Sequence, residues 1–289
     1  MKYLMTAAVA AILAAQGVWA ADLDLTVYNP GEKSMFPVSS TLIAGPKEAI
    51  LVDAQFQKND AEAVVKMIKD SGKTLTTIYV SQSDPDYYFG LDVITAAYPE
   101  AKVVATAETI SAIEATVKGK VAYWGPILGE NAPATTVMPQ AIEGDSLTVD
   151  GEEVAIVDSE GGDPARTFVW IPSLRTVVGG AQLQSNEYIW TADTQTLESR
   201  QTWLKTLDNI DALDPVRIIP AHFSGELGDG LASVEFTRSY LKVFEVEAAK
   251  AKDSAELIAK MKTLYPGLAL EQALEVSAMV IKGEMKWPQ

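Results

Sequence analysis

Cysteine is absent from this chain and histidine occurs once, at His222, so neither disulfides nor a cluster of imidazoles and thiolates can staple its fold. Protein zinc centres are built chiefly from His and Cys, with Asp and Glu in support. A zinc site needing several such ligands cannot be assembled within one copy, and stability must come from a buried apolar core. The length allows it. A domain approaching 289 residues buries about 70 to 75% of the surface that its unfolded chain exposes.

The start of the chain reads as a leader. Lys2 is its lone charge, Leu4 to Ala15 is almost wholly apolar, and Val18-Trp19-Ala20 offers small residues at the positions read for cleavage. That pattern is a secretory signal peptide over residues 1–20, with a periplasmic or secreted protein as the expected product. A membrane anchor is the alternative, but the run falls short of the ~20 residues needed to span a bilayer. Residues 21–289 are expected to form a single domain with a helical C-terminal end. With 23 basic and 39 acidic residues the net charge is −16, which repels phosphate backbones and argues against a nucleic-acid partner. The acidity itself is read as a solvated surface.

Strands and helices alternate. Leu23 to Tyr28, Ser39 to Ala44 and Ala49 to Val52 are short β-type runs separated by Asn29-Pro30-Gly31 and Gly45-Pro46, the pattern of an opening meander. A helix follows, capped by Asn59 or Asp60, striped by Val64, Val65 and Ile68, and ended at Gly72. Leu75 to Val80 and Lys102 to Thr106 read as strands, Leu91 to Tyr98 as a helix. A further helix through Ile110, Ile113 and Val117 is expected to stop near Gly119. This β-α-β-α rhythm indicates parallel strands covered by helices.

After Pro133 the character changes to short strands: Thr135 to Met138, Ser146 to Val149, Val154 to Val157, Thr167 to Ile171 and Thr176 to Val178. Asp150-Gly151 marks a hairpin turn, so antiparallel pairing is expected. A helix from Leu197 to about Leu207 precedes the strand Val216 to Ile219. The remainder is helical, with a long helix from about Leu231 to Ala251 and Asp253 or Ser254 capping the next. Two halves of strands and helices imply a sheet-on-sheet core with helices on both outer faces.

The chemistry should lie where strands end, as in open α/β sheets. Ile78 to Val80 runs into Ser81-Gln82-Ser83-Asp84-Pro85-Asp86-Tyr87-Tyr88-Phe89-Gly90. This segment resembles the His-x-His-x-Asp-His-x-x-Gly signature of the metallo-β-lactamase superfamily, with Gln82, Asp84, Asp86 and Tyr87 at the ligand positions. Other landmarks are similar. Leu51-Val52-Asp53 resembles the early strand ending in Asp, and Gly162 takes the histidine position of the Gly-His-Thr-Pro-Gly turn. Ala181 stands where the bridging aspartate belongs, and Ile218-Ile219-Pro220-Ala221-His222 resembles the strand that delivers the last histidine. Pro-Asp-Tyr-Tyr-Phe-Gly also resembles an exported subgroup that keeps His-x-His and already has Tyr as the last motif residue. The resemblance implies a four-layer αββα sandwich.

It also implies a damaged metal site. The first zinc position would receive Gln82, Asp84 and Gly162, which leaves it empty. Asp84, Asp86 and His222 could still form a two-carboxylate, one-histidine set, a composition better suited to iron or manganese than to zinc. Without a metal, no water is brought to a pKa of ~7 and the hydrolytic mechanism loses its nucleophile.

Other readings of these residues stay open. Asp84-Pro85-Asp86 equally suits a turn capping a helix that begins near Tyr87, and a lone histidine equally suits a hydrogen-bonded structural role. A serine hydrolase using Ser81, Ser83 or Ser224 lacks a Gly-x-Ser-x-Gly elbow. Gln82, Tyr87, Tyr88, Trp124 and Trp190 are the candidate ligand-contacting residues, Trp124 being placed in a connection after a helix. Each aromatic among them could instead pack in the core.

Two functions therefore compete. The favoured one is a non-catalytic relative without a cofactor that binds a small molecule or a protein in the former active-site cleft. The alternative is a hydrolase using one divalent ion (Zn, Fe or Mn) at Asp84, Asp86 and His222.

Overall fold

Runs such as Ser40–Ala44 and Glu48–Val52 place apolar side chains on both sides of a strand, which stabilises them only where both faces are covered. The computed structural model describes residues 22–158, 163–180 and 182–287. The leader over residues 1–20, Gly162 and Ala181 lie outside the described residues. In chain order the first half contains β1 (Asp24–Tyr28), β2 (Ser40–Ala44), β3 (Glu48–Val52), α1 (Lys58–Ser71), β4 (Thr74–Tyr79), α2 (Leu91–Ala97), β5 (Lys102–Ala105), α3 (Ala107–Leu128) and β6 (Gln140–Ala141). The second contains β7 (Ser146–Val149), β8 (Glu152–Val157), β9 (Phe168–Ile171), β10 (Thr176–Val178), β11 (Gln184–Ser185), α4 (Leu197–Ala212), β12 (Arg217–Ile219) and β13 (His222–Phe223). Helices α5 (Ala232–Lys250), α6 (Ser254–Leu264) and α7 (Glu271–Ile281) follow.

The first sheet has the order β1-β2-β3-β4-β5-β6 and the second β12-β10-β9-β8-β7, while β11 and β13 form a short third pair. The first two pairings of the first sheet are antiparallel, and the remaining three are parallel. In the second sheet only β10 with β12 is parallel.

Alternation along each strand divides the core into three. Ile43, Ile50, Val52 and Tyr79 of the first sheet meet Val154, Val169, Val178 and Ile219 of the second. Their strand neighbours Leu42, Leu51 and Ile78 point the other way, under Val64, Ile68, Ile94 and Ile113 of α1 to α3. On the far side Phe168, Val177 and Ile218 are covered by Trp203, Leu241, Phe244, Leu257 and Leu274 from α4 to α7. The result is the helix-sheet-sheet-helix sandwich expected from the sequence, with two buried faces per sheet.

The Asp150-Gly151 hairpin also holds. Both residues have positive φ, 48° and 91°, as a two-residue type I′ turn requires. The Asp150 carboxylate then accepts the amides of Lys47 and Glu48 at 2.7 and 2.9 Å, tying this hairpin to the β2–β3 turn.

Four local expectations need correction. Gln57, not Asn59 or Asp60, precedes α1 as its cap residue, and Asp60 instead accepts the Tyr28 hydroxyl at 3.0 Å. Helix α3 does not stop near Gly119 but continues through Gly125 and Pro126 to Leu128. Propensity is a weak prior here, and the extra turns bury Lys120, Trp124 and Leu128. Trp124 accordingly lies inside a helix rather than in a connection. Thr135 to Met138 forms no strand; Pro139 follows it, and the short pairing to β5 begins only at Gln140. Finally α4 runs to Ala212, beyond the expected Leu207.

Candidate functional site

The cleft is built by segments that leave β3, β4, β10 and β12 and by the one that leads into β9, all at one end of the sandwich. Asp53 follows β3 with φ 65°. Its carboxylate accepts the Ser81 amide at 2.8 Å and the Ser81 hydroxyl at 2.9 Å. Burial pushes that carboxyl up to about 8, the two Ser81 hydrogen bonds opposing the shift only in part. Gly179, with φ 70°, passes so close that a Cβ there would lie 3.1 Å from Asp53 Oδ2. Asp53 thereby fixes the start of the Gln82–Tyr87 turn without entering the cleft.

Two charged clusters lie beyond it. In the first, His222 Nε2 lies 2.9 Å from Asp86 Oδ2 and Nδ1 faces Glu187 Oε1 at 3.7 Å. Burial disfavours the imidazolium, but the hydrogen bond and charge of Asp86, joined by Glu187, raise the histidine above its ordinary value. Glu187 is fully buried, and burial pushes its carboxyl up to about 7. The Tyr87 ring stands edge-on to the imidazole, with centroids 5.8 Å apart.

In the second cluster, Lys120 from α3 donates to Asp84 and stands 3.8 Å from Asp193. Arg166 approaches Asp84 at 3.7 Å and Asp163 at 3.4 Å. Burial would raise the Asp84 carboxyl, yet Lys120 and Arg166 together hold it below the usual carboxylate range. Asp193 is raised instead, by burial and by the Asp84 charge. It accepts the indole N–H groups of Trp190 at 2.5 Å and Trp287 at 2.9 Å.

Those indoles belong to an aromatic wall. Phe36 packs edge-on against Phe56, Trp124 and Trp190 with centroids 5.4 to 5.5 Å apart, and Trp190 meets Trp287 at 4.9 Å. Wall and charged clusters together enclose about 570 Å³, the open mouth included.

Of the residues singled out in the sequence, Gln82, Asp84, Asp86, Tyr87, Trp124, Trp190 and His222 all line this cleft. Tyr88 does not: it is buried in the core and packs edge-on against Phe89 at 5.3 Å. Sequence reasoning missed Lys120, Arg166, Glu187, Asp193, Phe36 and Trp287. Only Arg166 carried a signal, through its place just after the Gly-rich turn; Lys120 was hidden by ending the helix near Gly119, one residue before it.

The donor set does not fit a metal centre. Among the described residues no three His, Cys, Asp or Glu side chains are grouped to hold an ion. Asp84 already carries two cationic partners, and burial followed by the charges of Asp86 and Asp53 raises the Tyr87 phenol well above its ordinary value, so it stays neutral.

No family model and no curated protein matches the sequence. Solved structures do match its shape. The DIM-1 metallo-β-lactamase, in a crystal exposed to ceftazidime, aligns with 77% of this chain and 97% of its own, at 17% identity and a TM-score of 0.56. VMB-1 aligns with 80% of this chain and 98% of its own, at 16% identity and 0.56. A metallo-β-lactamase from Pontibacter korlensis aligns with 76% of this chain and 99% of its own, at 14% identity and 0.51. The chain has the metallo-β-lactamase fold. Among the described residues no helix is long and apolar enough to cross a membrane.

Proposed function

We propose that this protein is an exported, non-catalytic relative of metallohydrolases that binds a small molecule in the cleft, within one domain spanning residues 21–289. The observation that carries the reading is the pairing of Asp84. At a position where the superfamily signature has a metal-binding histidine, this chain has a carboxylate neutralised by Lys120 and Arg166. The cations of the cleft are its own side chains. His222 is likewise engaged, with Asp86. What is left for a visitor is a partly enclosed space beside an aromatic wall, the usual make-up of a small-ligand site.

Metal analysis of protein purified without a His tag tests this reading. The expected result is substoichiometric metal and no turnover of a lactam, lactone, thioester or phosphoester panel above buffer. Tightly bound stoichiometric metal, lost together with hydrolysis in His222→Ala, would overturn it in favour of a hydrolase at Asp84, Asp86 and His222.

A further inference from the structure

Resting on the reading of the cleft as a small-ligand site, the unsatisfied polar groups identify what it reads. Gln82 and Arg166 face each other across an antiparallel backbone bridge, a geometry that puts directly opposed side chains on the same face, about 4.5 to 5.5 Å apart at Cβ. Both line the cleft. The Arg166 guanidinium makes no hydrogen bond among the described residues, only the two looser ion pairs with Asp84 and Asp163. Gln82 is 1% exposed, yet its Oε1 has no partner, and the same holds for the hydroxyl of fully buried Tyr87, which lines the same cleft. Buried polar atoms are normally hydrogen-bonded, and an orphan costs about 1 to 3 kcal/mol. Here donors and acceptors are left open side by side.

The charges in the cleft narrow the choice. Asp84, Asp86, Glu187 and Asp193 line it against Lys120, Arg166 and His222; Lys120 and His222 are each held by a carboxylate, and an anionic ligand reaching Arg166 would have to settle beside Asp84. Asp84, Asp86 and Asp193 are each already engaged with Lys120, His222 or the two indoles. Glu187 Oε1 and His222 Nδ1 also lack a hydrogen-bond partner but face each other at 3.7 Å, so a neutral group carrying both an acceptor and a donor in one plane matches what Gln82 and Arg166 leave open.

We infer that the cleft recognises the carboxamide group of a neutral, ring-bearing small molecule. Arg166 donates to its carbonyl oxygen, Gln82 Oε1 accepts from its N–H, and the ring lies against the wall of Trp124 and Trp190.

Calorimetric titration of the full chain with benzamide, acetophenone, benzoate and benzylamine tests this, with indole fluorescence as a second readout. Benzamide is expected to bind tightest. Gln82→Leu should weaken benzamide roughly tenfold, the loss of one buried hydrogen bond, while leaving acetophenone, which has no N–H, unchanged. Tighter binding of benzoate or benzylamine, or a Gln82→Leu protein that holds benzamide as well as the wild type, overturns the carboxamide assignment while the cleft remains a ligand site. Binding of none of the four overturns the assignment and counts equally against the ligand-site reading. Arg166→Lys gives an independent check. It keeps the charge beside Asp84 but removes the planar donor fork, and should lower benzamide and acetophenone alike.

Discussion

The space between the two sheets and the cleft at their ends are built from the same strands by opposite means. Between the sheets Ile43, Ile50, Val169 and Val178 are all fully buried and apolar, and stability there follows from area removed from water. A few residues further along the same chains, the cleft holds four carboxylates and three basic side chains against a wall of indoles. Buried ion pairs of this kind recover little more than their desolvation cost. The sandwich supplies the stability, and the cleft spends some of it to hold charges in a fixed arrangement.

The comparison breaks most visibly where one partner of a buried pair is removed. Lys120→Met leaves Asp84 with the distant Arg166 and Asp193 with no close cation, and should cost about 3 to 5 kcal/mol of unfolding free energy in denaturant titrations. Adding Asp84→Leu should recover most of that loss, because the uncompensated charge is gone. In the inter-sheet core Ile50→Ala should cost about 2 to 5 kcal/mol, with no second substitution able to rescue it so simply. Similar losses with opposite rescue behaviour would distinguish a region held by charge pairing from one held by packing.

A smaller effect separates the two regions by pH. Asp53 sits where they meet, and burial raises its folded-state carboxyl to about 8 from an ordinary 3.8. The folded protein therefore binds more protons than the unfolded chain between about pH 4 and 8, and this residue's contribution makes stability fall as pH rises through that window. Asp53→Asn, which tolerates the positive φ, should flatten the slope; an unchanged profile would mean that the carboxyl ionises normally. The smallest effect belongs to charges outside both regions. Lys66 and Asp70 pair on the exposed face of α1, and Lys66→Ala should cost only about 0.3 to 0.5 kcal/mol, a difference that high salt erases.

How much of this could be read beforehand differs between the regions for the same reason. Strand runs such as Ala49 to Val52 carry their two-sided burial in their composition, and Asp150-Gly151 carries its turn in two residues, so the sandwich was legible. The turn from Gln82 to Tyr87 and the strand end before His222 were legible as one end of that sandwich because both follow apolar strands. Tyr88 was misplaced because adjacent aromatics give no sign of which ring turns inward. Lys120 was missed because glycine argues locally against a helix that burial of Trp124 and Leu128 favours.

The sequence by itself determined that no multi-histidine zinc centre could exist, since one imidazole and no thiol cannot make one, and that two buried sheets would carry the fold. Only the tertiary structure decided which side chains meet in the cleft. Asp84 meets Lys120 from 36 residues away and Asp193 meets Trp287 from 94. Pairings at such separations have no periodicity or motif to announce them; they exist because packing the helices on the sheets brings those side chains into a space where a lone charge could not stay.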